Sequence, residues 1–393
     1  VNAQLLPVDG FSQSQQEKMI ELWKLQREVR RVATHISGII SLPFEVLGNR
    51  RPWLVSASPL EFCAGRKVAI FVVYQPKGIA LSTLRTVAHL AENGFSVCVV
   101  SNAKLSTRDK DALGAVAAKV LERPNIGYDF GAYQAAIRLL PDFGCQLSCL
   151  VLLNDSVWFP LHTNSKLLQE MERHEADVTS AQIFGEALFT DRPEQRLTPI
   201  LGSYFLMFKP VALCHPVFRS FWQNYRMSSN KETTIRRGER GLSRALFQSG
   251  LRCAGMYNQA RFNEVIAELD DDGLRACLAD LVILDRHVRA QRANLLAEPS
   301  SPGWIERARS FALAATKKKN YIGSSPLVTY HYLRIDVVKK NNEMLYRLAR
   351  QNLCRQITSV DDGSLDPQLK AELLQAVIRD RLPRPFRPAG TQP

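Results

Sequence analysis

From about residue 66 this chain alternates short uninterrupted apolar runs with stretches whose apolar positions recur at helical spacing. The run Val68-Ala69-Ile70-Phe71-Val72-Val73 contains no polar position, so it predicts a strand buried on both faces. Residues 82–93 then read as a helix stopped at Gly94, residues 95–100 as a second strand, residues 107–118 as a second helix and residues 119–121 as a short third strand. A helix over 133–140, a strand over 149–153, a helix over 165–174 and a strand over 178–183 continue the alternation, which implies a parallel sheet. The rhythm then becomes irregular, with a strand over 204–208, a helix over 216–225, a helix over 241–248 ending at Gly250 and a strand over 252–257. From residue 259 the pattern is mostly helical, including residues 274–296 and a helix opening at Asp366-Pro367.

Upstream, residues 12–42 predict one long amphipathic helix. Ser14 with Glu17 forms a capping box, Met19, Leu22, Trp23, Val29, Val32, Ile36 and Ile39 make the apolar face, and Pro43 ends it. The opposite face carries Lys24, Arg27, Arg30 and Arg31 and fits either solvent or an anionic membrane surface. A Pro/Ser-rich connection over 51–59 and a Pro-rich tail set the expected divisions: an N-terminal helical extension over 1–64, an α/β sheet domain over 65–258, a C-terminal helical region over 259–381 and a disordered tail over 382–393.

Composition narrows the classes. In 393 residues, 51 Lys+Arg against 38 Asp+Glu leave a net charge of +13, which favours a polyanionic partner. The aromatic group Phe218, Phe221, Trp222 and Tyr225 is spaced as one buried helix face, and no reader motif accompanies the basic excess, so nucleic acid is not the expected partner. Lys317-Lys318-Lys319 and Lys339-Lys340 read as solvated faces or as two basic clusters that touch anionic lipid. No apolar run reaches the length of a membrane span and no secretory signal pattern opens the chain, so the expected location is cytoplasmic, soluble or peripheral on the inner membrane face. The eight cysteines sit in apolar stretches without a CxxC pair, and the reading is buried free thiols in a reducing compartment. The histidines form no cluster that would support a metal site or a Ser/His triad.

Three constellations carry candidate chemistry. The turn Asn125-Ile126-Gly127-Tyr128-Asp129-Phe130-Gly131-Ala132-Tyr133 supplies two glycines four apart with an amide and a carboxylate. It reads either as a loop that lets a ligand approach backbone at Gly127 and Gly131, or as a tight strand-to-helix turn in which Asp129 caps the next helix. The apolar strand over 149–153 ends on Asn154-Asp155-Ser156. Asp155 can hold Mg²⁺ or Mn²⁺ against a diphosphate, or the three residues can close an Asx turn ahead of Pro160. In Arg236-Arg237-Gly238-Glu239-Arg240-Gly241-Leu242-Ser243-Arg244, Glu239 can serve as a general base beside phosphate-binding arginines such as Arg237, or simply favour a helix N-terminus.

In order along the chain, these pieces resemble the rhamnan synthesis protein F family of bacterial polysaccharide glycosyltransferases. The resemblance rests on Asn125 to Tyr133, on Leu152-Leu153-Asn154-Asp155-Ser156, on Gly202-Ser203-Tyr204-Phe205 with Phe221-Trp222, and on Gly238 to Ser243 with Gly250; the stretch from Ser325 to Asn341 is weakly similar to the family's closing region. It spans roughly residues 66 to 345 and implies a Rossmann-like, glycosyltransferase-A sheet. By that similarity Asn125, Gly127, Asp129, Gly131, Asn154, Asp155 and Arg237 would hold a nucleoside-diphosphate sugar, Asp155 its metal, and Glu239 would be the catalytic base. The implied reaction moves a sugar such as rhamnose to a lipid-linked or polysaccharide acceptor of the O-antigen type. Three departures stand out: Asn154-Asp155-Ser156 stands where such folds commonly have Asp-x-Asp, so that one carboxylate is missing, Arg240 replaces an expected second acidic residue, and Gly202 stands where the family often has glutamine. The competing expectations are an inactive scaffold that kept the sheet, and a basic nucleic-acid-binding protein.

Overall fold

The apolar runs become strands because each is covered on both faces. A computed structural model describes residues 65–185, 199–317, 321–359 and 363–381. The extension expected over 1–64 with its helix at 12–42, the tail at 382–393, Cys63, Lys318 and Lys319 lie outside the described residues. Ten strands occur among the described residues: β1 (Lys67–Val73), β2 (Phe95–Ser101), β3 (Lys119–Glu122), β4 (Cys149–Asn154), β5 (Val157–Trp158), β6 (Val178–Phe184), β7 (Ile200–Leu201), β8 (Phe205–Phe208), β9 (Cys253–Tyr257) and β10 (Val338–Lys339).

In β1 alternate side chains enter two different cores. Ala69, Phe71 and Val73 join Val87, Leu90, Phe262, Trp304 and Leu369 on one face, while Val68, Ile70 and Val72 join Phe130, Tyr133, Trp222 and Leu246 on the other. The unbroken apolar sequence follows from that double burial. The first core draws on the sheet and on the helices beyond residue 259 alike, so the expected division at 258/259 falls within one continuous packing unit.

The fold is mixed α/β around an eight-stranded sheet ordered β3-β2-β1-β4-β8-β6-β7, with β9 also paired to β6. The half formed by β3, β2, β1 and β4 is parallel, as the alternation predicts. The other half is not: β8 runs antiparallel to β4 and β6, and β7 antiparallel to β6, while β9 is parallel to β6. The irregular spacing after residue 183 is the sequence trace of that change. A separate two-stranded sheet joins β10 to β5 in antiparallel register.

Two helices depart from expectation. The helix expected over 274–296 is two, Asp271–Asp280 and Arg286–Ala297. Between them Leu281, Val282 and Ile283 are buried, Val282 donates its amide to the Ser324 carbonyl at 2.8 Å, and Asp285 caps the second helix through the amides of His287 and Val288. The helix expected over 133–140 begins earlier, as Tyr128–Ile137. The reading of free thiols fails for one pair: Cys145 and Cys214, 69 residues apart, form a disulfide, because the turn Pro141–Gly144 and the helix Pro210–Cys214 lie side by side. Cys98, Cys149, Cys253 and Cys277 are free thiols. Among the described residues no helix is long and apolar enough to cross a membrane.

Candidate active site

In the order β3-β2-β1-β4 the chain moves outward in one direction from β1 and then returns to the opposite side with β4, so the switch point of the sheet, where open α/β sheets bind ligands in a crevice, lies at the carboxyl ends of β1 and β4. A polar residue follows each parallel strand directly: Tyr74-Gln75 after β1, Asn102 after β2, Arg123 after β3 and Asp155 after β4, whose own last residue is Asn154. Asp155 fastens the crevice. Its Oδ2 accepts from the Tyr74 amide at 2.9 Å and from Gln75 Nε2 at 3.1 Å, while its own amide donates to the Val72 carbonyl at 3.0 Å.

The two readings of Asn154-Asp155-Ser156 divide between neighbouring residues. Asn154 makes the Asx turn, its Oδ1 accepting from the Ser156 amide at 3.1 Å and from Ser156 Oγ at 2.5 Å. Its Nδ2 turns the other way and donates to Asp129 Oδ2 at 2.7 Å. The buried amide therefore couples the strand end to the glycine turn, and the carboxylate at the crevice is that of Asp155.

The glycines of the 125–133 segment fold the turn onto the protein. Gly127 is the residue before the helix Tyr128–Ile137 and has φ +76°, the left-handed region in which a β-carbon is strained; here that atom would also lie 2.9 Å from Met227 Cβ. A β-carbon at Gly131 would lie 2.4 Å from the Ile126 carbonyl oxygen, which in turn accepts from Arg123 Nη2 at 2.6 Å. Packing alone therefore requires glycine at both positions. Asp129 does not cap a helix at 133–140 but lies inside the first turn of the helix Tyr128–Ile137, whose N-cap is Gly127, and it reaches Asn154. Burial pushes its carboxyl up to about 6; hydrogen bonds from its own amide and that of Phe130 oppose the rise, and the negative charges of Glu239 and Asp155 add to it. Asn125 stands half-buried in the turn itself.

Glu239 arrives from a third segment. It ends a π-helical turn, Ile235–Glu239, that runs into the helix Arg240–Gln248. The turn approaches closely because Gly238 is buried against Phe130: a β-carbon there would lie 2.6 Å from the ring. Phe130 stacks on Trp222 with ring centroids 5.9 Å apart, and of the aromatic group read as core Phe218, Trp222 and Tyr225 are buried while Phe221 packs half-buried against them. Glu239 Oε1 accepts from Ser203 Oγ at 3.2 Å, and the Ser203 carbonyl accepts from the Tyr133 hydroxyl at 3.3 Å. Asp129, Asn154, Asp155 and Glu239 are therefore brought together. Arg237 is not joined to them: it is exposed, beside the Tyr225 hydroxyl, as Arg236 and Arg240 are also exposed. At Gly202 a β-carbon would meet the Tyr204 ring at 2.8 Å and the Gln182 carbonyl at 2.9 Å, which explains why a glutamine has no room in this chain.

Several residues at this edge escape sequence reasoning. Arg123 is 3% exposed and donates to Asn102 Oδ1 at 2.6 Å as well as to Ile126, and burial lowers it to about 10. The available signal was a polar residue placed immediately after an apolar strand. Lys339 and Lys340 correct an expectation, for they are half-buried and not a solvated face. β10 pairs Lys339 with Val157, and the Lys340 amide donates to the Ser156 carbonyl at 2.8 Å, so the closing segment is stitched to the acidic turn. Lys339 Nζ lies 3.1 Å from the Tyr204 ring centroid and Lys340 Nζ 5.2 Å from that of Trp158. Burial lowers Lys339 to about 7 against the opposing pull of Glu239 and Asp129, and it lowers Lys340 against Asp155 and Glu372.

The donor set does not fit a two-carboxylate divalent ion. The first carboxylate is the Asn154 amide, whose oxygen is occupied by Ser156 and whose nitrogen faces Asp129. Asp155 has one oxygen committed to two donors and an ammonium group in its field. Among the described residues no group of three His, Cys, Asp or Glu side chains is arranged to hold a metal.

Residues 97–287 match the family described as rhamnan synthesis protein F. The match contains all four segments on which the resemblance rests and stops short of the closing stretch at 325–341. An uncharacterized protein of Sinorhizobium fredii (strain NBRC 101917 / NGR234), y4gN, is 29% identical over 247 residues, which are 61% of this chain and 62% of that relative. The chain thus spans less than two thirds of the length of that relative. Among solved structures, the mannosyltransferase PcManGT from Pyrobaculum calidifontis, in complex with GDP-Man and Mn²⁺, aligns over 93% of this chain and 98% of its own at 12% identity and a TM-score of 0.30. The mannosyltransferase Ktr4p from S. cerevisiae aligns over 54% of this chain and 75% of its own at 10% identity and a TM-score of 0.27.

Proposed function

We propose that this chain, whose residues 97–287 match the rhamnan synthesis protein F family, is a glycosyltransferase that takes a sugar from a nucleoside-diphosphate donor. The observation that carries the reading is the convergence of three distant segments at the carboxyl edge of the parallel strands. Asn154 bonds Asp129, and the Asp129 carboxyl feels the charges of both Asp155 and Glu239. Such an edge is where open α/β sheets hold nucleotides.

In this reading the donor lies across the crevice between β1 and β4, with Asp129 and Asp155 contacting its ribose or sugar hydroxyls. Glu239, oriented by the Ser203 hydroxyl, takes the proton of the acceptor hydroxyl. The acceptor oxygen then attacks the anomeric carbon while the bond from that carbon to the diphosphate breaks, and the nucleoside diphosphate leaves with the electron pair. The transferred sugar is rhamnose or a related hexose, and the acceptor is a growing surface polysaccharide of the O-antigen type on a lipid carrier. The net charge of +13 favours a location at the anionic inner face of the cytoplasmic membrane.

Thermal shift with a panel of UDP-, GDP-, ADP- and dTDP-linked sugars tests the donor, because a ligand bound only by the native state raises the midpoint. The expected result is one nucleotide class that raises the midpoint and supports transfer to a lipid-linked acceptor. A panel that neither stabilises the chain nor yields hydrolysis or transfer would end this reading.

A further inference from the structure

We propose that Lys339 and Lys340 form the cationic site for the donor's diphosphate, taking the place that a divalent ion has in a two-carboxylate site. The inference rests on the nucleotide-sugar reading and says how this chain accommodates the donor's charge.

A diphosphate entering beside Asp129, Asp155 and Glu239 meets carboxylates, and like charges at close range oppose its binding unless a cation intervenes. The acidic pair that would recruit a metal is broken at Asn154, whose amide is spent on Asp129 and Ser156. The arginines near this edge do not supply the charge. Arg123 is committed to Asn102 and the Ile126 carbonyl, and Arg236, Arg237 and Arg240 are exposed without contact to the carboxylates.

The two lysines are placed differently. Pairing of β10 with β5 and the bond from the Lys340 amide to the Ser156 carbonyl set both residues beside the acidic turn. Lys339 lies in the field of Glu239 and Asp129, and Lys340 in that of Asp155 and Glu372. Yet neither ammonium group makes a salt bridge with a described residue; each is packed over an aromatic ring, Tyr204 or Trp158. Holding a cation half-buried without an ion pair is costly, and an arriving anion relieves that cost. The rings leave the ammonium charge available while fixing where it sits. Lysine also suits the task because a compact charge with rotating donors can follow phosphate oxygens.

The test is calorimetric titration of UDP, GDP and dTDP, with the matching monophosphates, into the full chain in EDTA and again in Mn²⁺. The wild type is expected to bind one diphosphate in EDTA. Lys339→Met and Lys340→Met are each expected to weaken that diphosphate by about tenfold or more while changing the monophosphate by less than about threefold, and Lys339→Arg to retain most of the affinity. Circular dichroism melts accompany each variant. If Lys339→Met does not fold, Lys340→Met and Lys339→Arg carry the same comparison. Binding that requires Mn²⁺ and is unchanged in the lysine variants would overturn the inference and leave the glycosyltransferase reading standing. Equal loss of mono- and diphosphate affinity together with a lowered melt would also overturn it, by showing the lysines to be structural. Absence of nucleotide binding in both EDTA and Mn²⁺ would remove the inference together with the reading beneath it.

Discussion

Between its ordinary value of 3.8 and about 6, Asp129 takes up a proton when the chain folds, because burial first, and then the neighbouring Glu239 and Asp155, disfavour its charge. A carboxyl raised in this way stabilises the native state most below 3.8, and its contribution is lost as pH rises through about 6. Replacing it by the neutral isostere removes that dependence. Asp129→Asn is therefore expected to gain stability relative to wild type on going from about pH 4.5 to about pH 7.5, read as the difference in urea midpoints; a difference independent of pH would contradict the placement of this carboxyl. Glu239 makes a separate prediction. On the proposed glycosyltransferase reading Glu239, held by Ser203, is the base and not a donor contact, so Glu239→Gln is expected to lower kcat by about 100-fold or more with donor Kd changed less than about threefold. A silent Glu239→Gln would move the base elsewhere. The identity of these acids was legible because each stands where an apolar strand stops or a glycine turn begins; what Asn154 does was not, since its partner Asp129 lies 25 residues away.

Elements show why the motif residues occur together. Gly238 admits the Phe130 ring, Gly127 admits Met227, and Phe130 rests on Trp222, so three of the recognisable segments are packed against each other before any chemistry is considered. A methyl group at Gly238 must displace the ring or the π-helical turn that carries Glu239. Gly238→Ala is expected to cost about 1 to 3 kcal/mol in urea unfolding and to reduce turnover more than Gly241→Ala, where a β-carbon meets nothing closer than 3.5 Å. Equal behaviour of the two variants would show that the close approach at Phe130 is unimportant. The parallel strands were readable because burial on both faces leaves an unbroken apolar run. Strands β6, β8 and β9 were legible too, but the antiparallel direction of β8 was not, since partners are set by the fold; β7 and β10, of two residues each, escaped altogether, and at β10 that short pairing turns apparently solvated lysines inward. The early start of the helix at Tyr128 escaped for a local reason: its preceding residue is a left-handed glycine without a capping side chain.

At the scale of the whole molecule, the site is closed by chain that returns from far away. Asp336 is the rivet. Its Oδ1 accepts from the His162 amide at 2.7 Å and faces His162 Nδ1 at 2.9 Å, its carbonyl accepts from the Leu161 amide at 3.0 Å, and its amide donates to the Tyr257 hydroxyl at 3.1 Å. Three residues later β10 delivers Lys339 to the Tyr204 ring. Farther on, Arg85 donates to Asp366 at 2.8 Å, and Glu372 accepts from the Ser82 amide at 2.9 Å and from Trp158 Nε1 at 3.1 Å, so the last described helix, Pro367–Arg381, braces the same region from behind. Asp336→Ala removes a buried acceptor and strands the His162 amide, which should cost about 2 to 4 kcal/mol. If the returning segment supplies the diphosphate's counter-charge, the variant loses diphosphate affinity under conditions where it is still folded, while Asp366→Asn, which loosens the brace without touching the strand that carries the lysines, loses stability with affinity largely kept. Calorimetry on the two variants, below both melting midpoints, separates an anchor for the site from a clamp for the fold; affinity unchanged in Asp336→Ala would mean that the lysines hold their places without it.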